Sequence, residues 1–270
     1  MTDWLAVCRD AAAAVDGALG ELPTRLEREP RVGDGEGGDV TTAIDAAAEA
    51  AVVARLEGAA AAGTGFTLVS EELGERVFGD GGEGRVVVCD PIDGSLNAKR
   101  GIPFFSLSLA IASGPRMEDV ELGYVFDYGS REEWVAVRGE GALLNGRPLG
   151  GPGPKETIEI LSFEATRTDL VAERVGGMVG LARRTRIMGS LALSLCHLAA
   201  GRVDAVVSLK PARSVDIAAA QLLVRERGLA IDLPEDPPFA DAPLDLAARS
   251  RVVAAATHEL CAELHARLTK

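Results

Sequence analysis

Val86-Val87-Val88-Cys89-Asp90-Pro91-Ile92-Asp93-Gly94-Ser95 is the stretch on which both the fold and the chemistry of this chain turn. Its first four residues are a continuous apolar run of strand length, the pattern of a strand covered on both faces. The run delivers the chain into Asp90, at a strand end where the backbone leaves a sheet and side chains face a crevice. Two carboxylates three residues apart, Asp90 and Asp93, converge on a cation if the turn between them folds back, and Pro91 stiffens that turn. Gly94 permits close backbone approach, so the amides of Gly94 and Ser95 can hold a phosphate. Taken alone, the hexamer from Asp90 reads equally well as a capped β-turn with Asp, Pro and Gly in ordinary turn positions.

On the N-terminal side, Leu5, Cys8, Ala12, Val15 and Leu19 recur at helical spacing and predict a helix from Trp4 to Leu22. Pro30 to Asp39, rich in glycine and acid, reads as a surface loop. Thr41 or Thr42 caps a second helix running to about Leu56. Phe66 to Val69 is a short strand ending on Glu71-Glu72, and Gly79 to Gly84 is a turn cluster. On the C-terminal side, Phe104 to Ala112 alternates with period two and predicts a strand. Val120 to Tyr128 and Glu133 to Val137 continue the sheet, and Asn145-Gly146 marks a hairpin turn. The Pro/Gly run Gly150 to Pro154 divides an α+β half, residues 1–150, from a second half, residues 151–270, within one structural unit. In that second half, strands begin near Thr157, Thr185, Asp204, Leu229 and Arg251. Helices at Leu170 to Met178, Ser190 to Ala200, Ser214 to Arg227 and after Thr257 separate most of them, the alternation of a layered α/β unit.

The bulk composition narrows the function. With 47% apolar and 26% charged residues the 270-residue chain is ordinarily globular, and its net charge of −13 argues against nucleic-acid binding, which needs a basic footprint. Such a protein binds phosphate esters if divalent cations bridge the two negative partners. Cys8, Cys89, Cys196 and Cys261 are widely spaced with no C-x-x-C pair, so they read as buried free thiols. No basic-then-apolar leader opens the chain, and no apolar stretch reaches the roughly 20 residues that span a bilayer. A cytoplasmic protein without a membrane partner is expected.

Outside the hexamer, acids stand at Asp45 on the second helix, Glu71 at a strand end, and Asp216 among Val215, Ile217, Ala218, Ala219 and Ala220. An isolated acid in that apolar setting is either a helix cap or a ligand. Val69-Ser70-Glu71-Glu72, Asp90 to Asn97, Gly101-Ile102-Pro103-Phe104, Gly189-Ser190 opening a helix, and Val215 to Ala220 together resemble the inositol monophosphatase family, from about residue 40 to residue 230. The resemblance implies an αβαβα sandwich and a metal-dependent phosphoric monoester hydrolase. It implies that Glu71, Asp90 and the Ile92 carbonyl bind one Mg²⁺, and that Asp90, Asp93 and Asp216 bind a second. It further implies that Glu71 helps to hold a loosely bound third, with Mn²⁺ as an alternative ion. Ser95 and Asp45 would orient or deprotonate the attacking water, and the family implies a homodimer. Hard cations with oxygen ligands suit such carboxylates.

Two departures bear on substrate. Val215 stands where many members carry Trp, and Arg213 to Ala219 resembles the archaeal-type branch of bifunctional inositol-monophosphate and fructose-1,6-bisphosphate phosphatases. Where inositol-specific relatives carry a Glu, Ser208 to Arg213 offers no acid. Lys210 and Arg213 there are either solvated loop charges or contacts to a second phosphate. Arg186, before Gly189-Ser190, is a further candidate phosphate contact. The expected substrate is fructose-1,6-bisphosphate, inositol-1-phosphate or both. A 3′-phosphoadenosine-5′-phosphate phosphatase and a catalytically silent binding protein are the alternatives. Reading Ser95 as a nucleophile paired with His197, His258 or His265 lacks the Gly-x-Ser-x-Gly elbow.

Overall fold

A computed structural model describes residues 2–268 apart from Asp39, residues 151–154, Glu156, residues 165–166 and residues 236–237. The chain opens with α1 (Trp4–Gly20), α2 (Arg25–Arg28), the strands β1 (Arg31–Asp34) and β2 (Val40–Thr42), and α3 (Ala43–Ala61). Then come β3 (Phe66–Ser70), β4 (Gly74–Phe78), β5 (Val86–Asp93) and the short α4 (Ser95–Arg100). A meander follows: β6 (Ser106–Ala112), β7 (Val120–Asp127), β8 (Glu132–Val137), β9 (Gly141–Leu144) and β10 (Arg147–Pro148). The second half runs β11 (Ile158–Glu164), α5 (Thr168–Arg174), β12 (Ala182–Arg186), α6 (Leu191–Ala199), β13 (Ala205–Ser208), α7 (Ser214–Glu226), β14 (Ala230–Asp232), β15 (Val253–Ala255) and α8 (His258–Leu268).

The strands form an eight-stranded sheet, β10-β9-β8-β7-β6-β5-β3-β4, and a five-stranded sheet, β12-β11-β13-β15-β14. Alternation along β5 sorts its side chains between two cores. Val87 and Cys89 pack with Cys8, Ala12 and Val15 of α1 and Ile44, Ala48 and Val52 of α3. Val86 and Val88 face the opposite way, into a core shared with Leu193 and Leu195 of α6, Ala218 and Leu222 of α7, and Val206 and Ala254 of the second sheet. On that sheet's far side, Phe163, Val207 and Val253 meet Cys261, Leu264 and Leu268 of α8. The layers are therefore helix, sheet, helix, sheet, helix, as the resemblance implies. Helices α6 and α7 form the central layer. At Gly123 of β7 a Cβ would collide with the Ala219 carbonyl, so glycine there lets α7 lie close on the first sheet.

All four cysteines are buried free thiols, as their spacing predicts. The Asn145-Gly146 turn also forms as read, with φ of 51° and 72° at its two residues. Other expectations need correction. Pro30 to Asp39 is not wholly loop, because β1 pairs with β2 as a bulged antiparallel hairpin. Strand β4 escapes the sequence pattern because it is an edge strand whose central Glu75, Arg76 and Val77 are exposed. Strand β12 begins at Ala182 rather than near Thr185, and its arginines line the edge of the second sheet. The Gly150 to Pro154 boundary falls almost entirely outside the described residues. No helix among the described residues is long and apolar enough to cross a membrane.

Candidate active site

Asp90 to Asp93 is not a free turn but the end of β5, interrupted by a bulge. Asp90 pairs with Ser108 of β6 while Asp93 pairs with Ser106, so three steps on β5 match two on β6. In a regular strand, residues three apart point to opposite faces. The extra residue resets the alternation, so that Asp90 and Asp93 address the same crevice. It also explains how a central strand accommodates Pro91. Gly94 then takes φ of 92°, a left-handed conformation that turns the chain into α4. A Cβ at Gly94 would lie 3.1 Å from the Gly189 carbonyl and from the Phe104 carbonyl, so the turn is closely packed from both sides.

Carboxylate oxygens of Glu71, Asp90 and Asp216 all lie within 4.8 Å of one another. They come from the residue after β3, the end of β5 and the first turn of α7, three elements the fold brings to one place. Asp90 is 2% exposed, and its Oδ1 accepts the Ile92 amide at 2.9 Å. Asp93 is held by the start of α6, where its Oδ2 accepts from the Ser190 hydroxyl and, at 2.8 Å, from the Ala192 amide. Asp216 turns out to be both cap and site residue. Its Oδ2 accepts the Arg213 amide at 2.7 Å, closing a capping box, while its Oδ1 takes the Arg213 guanidinium at 3.1 Å.

Arg213 is turned inward, its Nη2 also 2.5 Å from Glu71 Oε1, so it neutralises two of the acids. The sequence left it either a solvated loop charge or a contact to a second phosphate, and neither reading foresees this inward pairing. Lys210 and Arg186 are exposed, and Arg186 donates to the Thr185 carbonyl. Ser95 donates to the Ile92 carbonyl at 2.9 Å. Asp45, at the third position of α3, accepts through Oδ2 from the amide and hydroxyl of Thr42, and Lys99 Nζ lies 3.6 Å from the same oxygen. Asp45 and Ser95 share no hydrogen bond. The other carboxylate oxygen, Asp45 Oδ1, is buried without a partner. Two of the histidines have partners outside the acid cluster: His197 packs against Phe104 and Trp134, and His258 pairs with Asp232.

Several contributors are absent from the reading of sequence alone. Lys99, between the motifs Asp90 to Asn97 and Gly101 to Phe104, was given no role. Glu49, one turn after Asp45 on the same helix face, was legible from its spacing. It is buried and accepts the Ser70 hydroxyl at 2.6 Å.

Burial drives the electrostatics. It pushes Glu71 up to about 7, with Arg213 opposing and Asp216 reinforcing the shift. It pushes Asp93 to about 7 against the hydrogen bond from Ser190, with Asp216 reinforcing, and Glu49 to about 7 against the Ser70 hydroxyl. Asp90 is raised well above the carboxylate range by burial and then by Glu71, Asp93 and Asp216. A buried group of this many acids, with one guanidinium among them, fits oxygen-seeking divalent cations.

A prediction follows for the metal-free protein. Glu71, Asp93 and Glu49 titrate near 7 when folded but near 4 to 4.5 when unfolded. Between those values the folded state binds more protons, so stability falls as pH rises and levels off above 7. With EDTA present, the melting temperature should drop from pH 5 to pH 8 by at least about 4 °C, since each kcal/mol moves a chain of this size by about 2–4 °C. Millimolar Mg²⁺ should recover most of that loss at pH 8 and little at pH 5, because protons and metal compete for the same oxygens. Calorimetric scans at the two pH values check both statements.

The family comparison meets this geometry. The model of the inositol monophosphatase family matches residues 4–270. The chain belongs to the inositol monophosphatase family. A fructose-1,6-bisphosphatase/inositol-1-monophosphatase of Methanothermobacter thermautotrophicus is 33% identical over 95% of this chain and 93% of its own. An enzyme of the same description from Thermococcus kodakarensis is 32% identical over 84% of this chain and 82% of its own. Among solved structures, an inositol monophosphatase-fructose 1,6 bisphosphatase superposes with a TM-score of 0.82 at 26% identity, covering 98% of this chain and all of that one. As a family member, the chain is a phosphatase with acidic clusters able to bind metal.

Proposed function

We propose that this phosphatase releases phosphate from fructose-1,6-bisphosphate, inositol-1-phosphate or both, with Mg²⁺ held by Glu71, Asp90, the Ile92 carbonyl, Asp93 and Asp216. The convergence of Glu71, Asp90 and Asp216 within 4.8 Å carries the reading. The metal, when bound, supplies neutralisation of the phosphate, a more acidic attacking water and stabilisation of the leaving alkoxide.

The chain's own residues do the rest. Asp45 offers Oδ1, which is buried and lacks a partner, as the acceptor for the water's proton, while Thr42 and Lys99 occupy its other oxygen. Ser95, anchored on the Ile92 carbonyl, stands at the start of α4, where the Gly94 and Ser95 amides receive the phosphate. Gly189 and Ser190 close the opposite wall through Gly94 and Asp93. Arg213 holds Glu71 and Asp216 together, which leaves the exposed Lys210 as the loop cation for a second phosphate. The two relatives described above support the substrate class.

A phosphate-release panel at fixed Mg²⁺ tests the proposal, with fructose-1,6-bisphosphate, inositol-1-phosphate and 3′-phosphoadenosine-5′-phosphate as substrates. Release from one or both of the first two, abolished by EDTA and restored by Mg²⁺, is the expected result. A steep preference for the adenosine compound would overturn the substrate order, and release that survives EDTA would overturn the metal assignment.

A further inference from the structure

We infer that Glu164 is a positioning residue that fixes Asp93 as a metal ligand through the Met188–Ser190 turn at the start of α6. The inference rests on the assignment of Asp93 in the proposed site. Glu164 ends β11, which pairs in parallel with β12 on one side and β13 on the other. The connection through α5 carries the chain from β11 out to β12, and that through α7 carries it from β13 toward β14 on the other side, so the switch point of the second sheet lies between the carboxyl ends of β11 and β13, where Glu164 pairs with Ser208. Ligand crevices of open α/β sheets lie at such points, and here the crevice opens toward the end of β5.

The side chain is 7% exposed, and its acceptors are filled. Oε2 takes the Gly189 amide at 2.9 Å, while Oε1 takes the Ser194 hydroxyl at 2.6 Å and the Ser162 hydroxyl at 2.9 Å. A carboxylate committed to these donors does not meet substrate, but it ties both the turn before α6 and the helix's first turn to β11. The tethered segment touches the site at successive residues. Met188 presents its carbonyl to Asn97 Nδ2 at 2.7 Å, just beyond the Gly94-Ser95 turn. Gly189, at φ of 87°, sets its carbonyl against Gly94. Ser190 caps α6 by accepting the Leu193 amide at 3.2 Å and donates its own proton to Asp93 Oδ2, beside the Ala192 amide. Glu164 thus stands behind the donors that orient Asp93. The chain of contacts joins the second half of the molecule to the metal ligands of the first.

Groups that orient a ligand in this way typically change metal affinity by about 10–100-fold when removed. Calorimetric titration of the full-length protein with Mg²⁺ reads this directly, with Asp93→Asn defining the affinity that depends on Asp93. Glu164→Ala is expected to weaken that affinity by about 10-fold or more, and Ser194→Ala by about 3–10-fold. Glu164→Gln should stay within about threefold, since its oxygen still accepts from Gly189 and its amide can donate to Ser194. Phe163→Leu alters the neighbouring side chain, which is buried on the opposite face of β11, and should lower the melting temperature without changing Mg²⁺ affinity. Wild-type affinity in Glu164→Ala, or in Ser194→Ala should the alanine at 164 not fold, overturns the inference alone provided Asp93→Asn is weakened. Equal weakening by Phe163→Leu reduces Glu164 to a structural role and also overturns it. Unchanged affinity in Asp93→Asn overturns both the inference and the metal assignment beneath it.

Discussion

Asp90→Asn is expected to lower phosphate release at saturating Mg²⁺ by at least about 10³-fold, roughly 4 kcal/mol of transition-state stabilisation. In the proposed site Asp90 is the acid shared between the two metal positions, and it is the most buried of the four acids, packed among Glu71, Asp93 and Asp216. Asparagine keeps the shape and can still accept the Ile92 amide through Oδ1, so the bulge in β5 survives. What disappears is charge where cations must be held against one another. The fold supplies the control. Replacing a carboxylate by an amide removes like-charge repulsion from a buried site, so metal-free Asp90→Asn should melt at or above the wild-type temperature. The rise in melting temperature that Mg²⁺ produces in the wild type should shrink or vanish, since stabilisation by a ligand follows its affinity. A variant that keeps both its turnover and its Mg²⁺-induced rise would sink the metal-site assignment.

The contrast between Asp90 and its supports shows what a sequence discloses. Val86 to Cys89 announces itself because a doubly covered strand must be apolar at every position. The acids at 71, 90, 93 and 216 stand out because each interrupts or ends an apolar run. The bulge is less visible: Pro91 hints at irregularity, but only pairing with β6 shows that Asp90 and Asp93 end on one face. Contacts between the halves leave no local trace. Arg213 reaches Glu71 across 142 positions, and Ser190 reaches Asp93 across 97. Arg213 illustrates the consequence, since a loop arginine looks the same in sequence whether it awaits a phosphate or neutralises two carboxylates. Edge strand β4 fails to register, and the start of β12 at Ala182 is missed, for a related reason: an edge is kept charged to prevent pairing with other chains. Glu164 closes a strand that the sequence shows beginning near Thr157, and nothing in its neighbours marks the contacts it makes.

Asp45→Asn is expected to reduce kcat by about 10²–10⁴-fold, the range for loss of a positioned general base, while Mg²⁺ affinity changes little. The split follows from the two oxygens of this carboxylate. Oδ2 belongs to the fold: it accepts from the amide of Thr42 at 3.0 Å and from its hydroxyl, and it faces Lys99. Asparagine can keep these contacts through its carbonyl oxygen, so α3 should start where it does now and the melting temperature should move by less than the loss of a cap, about 1 kcal/mol. Oδ1 is the oxygen that the proposed chemistry uses. A buried acceptor without a donor costs about 1–3 kcal/mol, and a helix cap alone gives no reason to retain that cost. In the variant this position carries an amide NH₂, which donates and accepts no proton, so the attacking water loses its base. Steady-state kinetics at saturating Mg²⁺, paired with a calorimetric Mg²⁺ titration, separates the roles. Lost turnover with retained metal binding places Asp45 at the reacting water. Retained turnover would leave it only the cap of α3 and move the proton acceptor to another group of the site.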